Sequence, residues 1–332
     1  MGKLIVFGSA VLGSFLFVLV LFFAGFENII VPFRKFSLFY LSLFLFITLL
    51  LHIISTLRWH SVLRYQGFRV SLAYLFKIKI IGSSINYITP AARVGGEPLR
   101  GFLAKKRLGV KSPQAYSSAL IDTALGMTMD AVFIILIALA ASSFLALPSA
   151  VIIALMLASA AVIALIALFY ASLIKKNGPF STGLKLFKLF FRLNFLEVLL
   201  KKVRKVEDAI VEFLHFRKKG VIQVLLLTSL TWPATYFQYK FALLSLGFDA
   251  PVMIIFLSIV ATSIASVIPV PAALGFQEAG QVSVFSAIGL PSLGFALSIM
   301  IRLKDLLTTF AGFILLSHEG LSVFEVLKQK KV

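Results

Sequence analysis

The feature that most constrains this chain is the number and length of its apolar runs. A helix needs about 20 mostly apolar residues to cross the hydrocarbon core of a bilayer. Six stretches of the 332-residue sequence reach that length: 4–26, 36–57, 115–145, 149–174, 221–246 and 293–316. Soluble domains are roughly half apolar, whereas this chain is 60% hydrophobic with 34 Phe and a mean hydropathy of +1.02. The surplus has to face lipid. The expected fold class is therefore all-α: a polytopic membrane helix bundle forming a single transmembrane domain over residues 1–332. The run at 4–26 is too long for a signal-peptide core and ends without a small-x-small cleavage site, so it reads as a retained first span.

Two further apolar stretches, 72–103 and 251–288, are interrupted by Pro and Gly and do not read as ordinary spans. Charge supplies their orientation, because Lys- and Arg-rich loops stay cytoplasmic. The basic segments are 58–79, 100–111, 175–219 and 328–331, while the loops at 146–149, 247–250 and 289–292 carry no Lys or Arg. Placing the basic loops inside puts both termini in the cytoplasm and suits the cytoplasmic (inner) membrane. The first interrupted stretch then begins and ends inside, and the second begins and ends outside. Each half is shorter than a span, which favours two re-entrant helical hairpins entering from opposite faces; two short full crossings per stretch satisfy the same charge rule. The segment 175–219 combines basic residues with apolar ones at helical spacing (Leu184, Phe187, Phe191, Leu199), as in helices lying in the cytoplasmic headgroup plane; a purely topogenic basic loop fits as well.

The interrupted stretches share vocabulary. Residues 90–97 read Pro-Ala-Ala-Arg-Val-Gly-Gly-Glu and residues 271–278 read Pro-Ala-Ala-Leu-Gly-Phe-Gln-Glu. Each is followed by a Gly and then a Pro placed to begin the next span. Span, hairpin and span recur in the two halves with opposite entry, so the plan is two inverted-topology repeats, about 36–145 and 221–316. Secondary transporters built this way bind substrate where broken helices meet near the midplane.

Ionisable groups inside a bilayer are costly unless paired or hydrated, which makes them candidates for function. Around the first hairpin stand Lys77, Lys79, Arg93, Glu97 and Arg100, with Asp122 and Asp130 in the following span. The second half offers Gln277, Glu278, Arg302, Lys304 and Asp305, with Gln238 and Lys240 in the span before. Arg93, Arg100, Arg302, Lys304 and Lys79 are the expected ligands of an anionic headgroup. Glu97, Glu278, Asp122, Asp130 and Asp305 are candidate counter-ions or proton carriers. Pro90, Gly95, Gly96, Pro269, Pro271 and Gly275 are the expected breaks, because Pro removes a donor and clashes with the preceding turn. Helices restarting after Gly95-Gly96 and Gly275 would aim free N–H groups at an anion. Glu97 and Glu278 would then fall in first turns, where capping those N–H groups is the simpler role. Simpler readings exist for others too: Lys77 and Lys79 snorkelling to the surface, Asp305 neutralising Arg302 one turn away, Asp122 or Asp130 pairing with a cation of another helix, and His52, Arg58 and Trp59 anchoring at the interface.

The formal charge of +19, from 32 Lys+Arg against 13 Asp+Glu, would suit nucleic acid or an anionic bilayer surface; in so apolar a chain the membrane is the partner and no nucleic acid is expected. There is no Cys and there are four scattered His, so no disulfide, metal or cofactor is expected. No Walker A motif is present, and ATP hydrolysis by this chain is not expected.

The Arg-x-Gly-Gly-Glu-x-x-Arg core at 93–100 and the later Pro-x-Pro-x-x-x-Gly-x-x-Glu string at 269–278 resemble the lysylphosphatidylglycerol synthase transmembrane-region family, also described as flippase-like or UPF0104-type membrane proteins. The resemblance covers nearly the whole chain. It implies a polytopic domain that moves lipid between leaflets, fused in some relatives to an aminoacyltransferase or glycosyltransferase. Here Ala272-Ala273-Leu274 stands where relatives often have Gly, and Phe276-Gln277 where a basic residue often precedes the Glu. The expected function is a flippase or scramblase for an anionic phospholipid or a polyprenyl-phosphate-linked lipid, rather than an enzyme. Two rivals differ in class: a lipid-modifying enzyme with Glu97 or Glu278 as general base, and a non-transporting partner of a separate glycosyltransferase or aminoacyltransferase.

Overall fold

The computed structural model describes residues 13–20, 22, 31–90, 95–144, 149–174, 178–190 and 195–320. Among them every regular element is helical and there is no strand. After a helical segment over 13–20 and a 3₁₀ turn at Val31–Lys35 come α1 (Leu38–Tyr65), α2 (Leu72–Ile88), α3 (Glu97–Leu108) and α4 (Ser112–Phe144). Then follow α5 (Ser149–Ile174), α6 (Pro179–Phe190), α7 (Phe195–Phe216) and α8 (Lys218–Ser229). The chain continues through α9 (Thr231–Ser245), α10 (Val252–Val267), a 3₁₀ turn at Pro271–Ala273, α11 (Phe276–Ser286) and α12 (Pro291–Ser317).

Three described stretches are long and apolar enough to cross a membrane: Leu38–Tyr65, Ser112–Ala140 and Lys218–Ser245. The last is interrupted at Leu230, where Pro233 in the first turn of α9 removes a backbone donor. α12 is 27 residues long and carries Arg302, Lys304 and Asp305 along its length. Large apolar side chains stay uncovered on the spans, including Leu38, Phe39 and Phe46 of α1 and Leu306 and Phe310 of α12. A bilayer solvates such side chains, and water does not.

Both interrupted stretches break where Pro and Gly accumulate. α2 ends at Ile88, just before Pro90, and a helix resumes at Glu97 after Gly95-Gly96. α10 ends at Val267 and a helix resumes at Phe276 after Gly275. Arg93 and its neighbours at 91–94 lie outside the described residues, as do most of the first run, Lys175, Phe191 and the basic tail.

The chain divides into two compact units, Met1–Thr56 with Phe76–Leu99 and Ser229–Val332, and Leu57–Leu75 with Arg100–Thr228. In the first, α11 packs against both α10 and α12. Small residues permit this: a side chain at Gly280 would meet Ala261 of α10, and one at Gly294 would meet the main chain of Gln281. In the second, α7 packs on α4 and α6. Its stripe of Val206, Ile210, Phe213 and Leu214 is seated on Val62, Ile121, Leu125, Leu173 and Val224. That stripe is therefore satisfied by protein, while Lys201, Lys202, Arg204 and Lys205 remain exposed. The second unit carries 20 of the 32 cations and 6 of the 13 acids, so most of the positive charge belongs to it.

Candidate functional site

In the first unit the charges gather on Arg302, halfway along α12. Its Nε donates to Oε1 of Glu278, a carboxylate with no solvent exposure. Its Nη1 donates to the Tyr87 hydroxyl (3.3 Å) and to the carbonyl of Ala272 (3.4 Å). Its Nη2 is buried with no acceptor among the described residues. Tyr87 is three residues before Pro90, and Ala272 and Glu278 belong to the second break. One guanidinium thus touches both interrupted stretches.

Local backbone explains why Glu278 is available. Gly275 adopts φ 79°, a left-handed conformation that glycine reaches without a Cβ penalty, and α11 begins directly after it. Glu278 Oε2 accepts from the Gly275 N–H at 2.8 Å, closing the first turn, and leaves Oε1 for Arg302. Just upstream, Ala272 (φ 55°) and Ala273 (φ 50°) are also left-handed. For alanine that conformation costs roughly 1–2 kcal/mol per residue. The carbonyl presented by Ala272 is the one Arg302 holds. Such strain concentrates at ligand clamps and switches.

The first break is built differently. Glu97 is buried in the first turn of α3, as the sequence predicts, but the Gly96 N–H donates to Asn86 Oδ1 (2.6 Å), and Asn86 Nδ2 reaches Glu97 Oε1 at 3.5 Å. A side chain at Gly96 would run into the carbonyl of Gly82 in α2, so this position demands glycine.

The second unit holds a separate ionic cluster. Asp122 of α4 has no exposure and accepts from Arg58 Nε (2.6 Å) and Arg100 Nη2 (2.7 Å). Arg100 stacks over Trp59, its carbon 4.2 Å from the ring centre, and Trp59 Nε1 donates to Ser118 at 3.0 Å. Two cations on one buried carboxylate, one of them stacked on an aromatic face, form a charge-assisted arrangement.

Several expectations change. Asp305 does not neutralise Arg302: it pairs with its neighbour Lys304 at 2.7 Å, and the arginine takes the more distant Glu278. Arg58 and Trp59 are not interface anchors, because α1 continues to Tyr65 and carries both into the protein, leaving Trp59 with no exposure. His52 also faces protein, 3.4 Å from the Thr308 hydroxyl of α12. Lys77 does not snorkel free but pairs with Glu319 at 2.6 Å, and Lys79 is buried. Lys240 pairs with exposed Asp249 in the loop after α9. Asp130 is half-buried two turns beyond Asp122. Tyr87 and Asn86 were missed by sequence reasoning. Their signal was position, since each lies within one turn of Pro90.

Long apolar helices, uncovered apolar side chains and paired charges along the spans define a multi-pass integral membrane protein. Within that class, the family described as the lysylphosphatidylglycerol synthase TM region matches residues 5–312, and the chain belongs to it. A UPF0104 membrane protein of Pyrococcus horikoshii is 23% identical over 313 residues, covering 90% of this chain and 91% of that protein. One from Methanothermobacter thermautotrophicus is 26% identical over 289 residues, 83% of this chain and 84% of its own length. No solved structure matches the chain.

Proposed function

We propose that this protein is a lipid flippase or scramblase that moves an anionic phospholipid or a polyprenyl-phosphate-linked lipid between leaflets. On this reading the two interrupted stretches are re-entrant hairpins of an inverted repeat (about 36–145 and 221–316), both termini are cytoplasmic, and the membrane is the cytoplasmic one. The headgroup is handled at Arg302 while the acyl tails stay in lipid. The observation that carries the proposal is the position of Arg302, which engages Tyr87 of the first stretch together with Glu278 and Ala272 of the second. A headgroup bound there is in direct touch with both stretches, which is what alternating exposure requires. The affinities of the two leaflet-facing states have to be close, since a ligand shifts the balance only by its differential affinity.

Of the two carboxylates that the enzyme reading offers as general base, Glu97 and Glu278, the second has one oxygen engaged by the Gly275 N–H and the other by Arg302.

The test is transport by purified protein in liposomes carrying a leaflet-specific reporter on an anionic lipid. Acceleration over empty liposomes is expected, with loss in Arg302→Ala. No acceleration across several headgroups, with and without a proton gradient, overturns the reading; a covalently altered lipid favours the enzyme. Cys labels at positions 90 and 271 should react from the cytoplasmic and the external side, and the reverse pattern breaks the inverted-repeat argument.

A further inference from the structure

Resting on that reading, we infer that the first helix, over residues 13–20, is a lateral gate between the bilayer and the second break: substrate lipids reach the Arg302 site past it, their chains still in lipid. The helix has two faces. Gly13, Leu16, Phe17 and Val20 fall on one side at helical spacing, and Phe15, Val18 and Phe22 on the other. The outer three are between 61% and 84% exposed, as lipid-facing side chains are. On the inner side, Val20 and Phe295 of α12 centre an apolar cluster that takes in Leu16, Phe17 and Ala279 of α11. The Phe17 and Phe295 rings lie 5.9 Å apart. The Gly13 end sits on the break itself. A side chain at Gly13 would come within 2.8 Å of Val270 and 2.9 Å of the Leu274 carbonyl oxygen, and one at Gly275 within 2.5 Å of the Gly13 carbonyl oxygen. Two glycines thus bring the main chain of the first helix against the turn that offers Ala272 to Arg302 and starts α11.

The kind of contact is what makes this helix a gate and not a wall. In a bilayer, apolar side chains gain little by choosing protein over lipid tails, so helices are held together by close packing and directional bonds. α2 has such bonds to α12, from Tyr87 to Arg302 and from the Ser84 hydroxyl to the Thr308 carbonyl (3.3 Å). Among the described residues no hydrogen bond or ion pair joins 13–20 to α11, α12 or the break, and the helix has packing alone. Leu16, Phe17 and Val20 can therefore exchange protein for acyl chains at small cost. A lipid whose tails take their place brings its headgroup to the break, beside the buried Arg302–Glu278 pair.

The chain has no Cys, so introduced thiols report alone. In liposomes containing the full chain with Ala272→Cys, a phospholipid carrying a maleimide on its headgroup is the probe, and the labelling rate is read by mass. Adding Gly13→Leu, which forces the first helix off Val270 and Leu274, should raise that rate several-fold. Ser14→Leu, at an exposed position, should leave it unchanged. Gly13→Ala, whose Cβ already meets both neighbours, takes the place of Gly13→Leu if that variant fails to insert. In a second arm, Phe17→Cys and Phe295→Cys are joined by a short bifunctional thiol reagent without Ala272→Cys. Transport of the anionic reporter should fall to the empty-liposome rate once the two are linked, and persist in the unlinked pair. Unchanged labelling with the Gly13 substitution, an equal rise in Ser14→Leu, or full transport by the linked chain overturns the gate. Faster labelling with no transport by any form would sink the flippase reading and leave the gate standing. Full transport through the linked chain would do the opposite.

Discussion

The two interrupted stretches begin from the same Pro-Ala-Ala-x-x-x-x-Glu wording and solve the same problem by different means. Each must restart a helix whose first N–H groups have no partner within the helix. In the second, Glu278 alone does this, giving one oxygen to Gly275 and the other to Arg302. In the first, the work is divided: Asn86 takes the Gly96 N–H, and Glu97 is joined to Asn86. The charge on the restarting helix also changes sign. In the first half Arg100 of α3 finds Asp122 in the next span, and in the second Glu278 of α11 finds Arg302. The repeated sequence word therefore brings a helix restart to within two residues of its Glu, and the following span supplies the charge that completes it.

The comparison can be broken by substitution. Asp122→Ala should have the largest effect, about 3–5 kcal/mol, because it removes the buried carboxylate that Arg58 and Arg100 share; loss of monodisperse protein in detergent would report it. Glu278→Ala should follow at about 3 kcal/mol and abolish lipid movement as well, since both the cap and the ion pair go. Asn86→Ala should cost about 1–2 kcal/mol, the price of one buried cap, in chemical denaturation. If Glu97→Gln destabilises as much as Glu278→Ala, the division of labour drawn above is wrong. The smallest effect should be a gain: Ala272→Gly relieves a left-handed alanine and should stabilise by up to about 1 kcal/mol, less the flexibility glycine adds to the unfolded chain. A loss of stability there would mean that the φ of 55° is not strained.

Much of the fold was legible in the sequence, because bilayer thickness sets span length and Pro and Gly mark breaks; the restarts at Glu97 and Phe276 fall where those rules put them. The partners were harder to read. Arg58-Trp59 at the end of an apolar run is also what an interface anchor looks like, and only tertiary packing against Asp122 tells them apart. Asp305 is the obvious local mate for Arg302 at helical spacing, yet a carboxylate 24 residues upstream wins, because capping Gly275 already aims it at α12. Tyr87 carries no signature beyond its place three residues before Pro90, and its role depends on a contact 215 residues away in the chain.

Arg302 holds a phenol on one stretch and a main-chain carbonyl on the other. The two therefore share a single latch. Neither can pull away from α12 without giving up a contact on that side chain, so on the proposed reading a lipid that took the guanidinium would be felt by both at once.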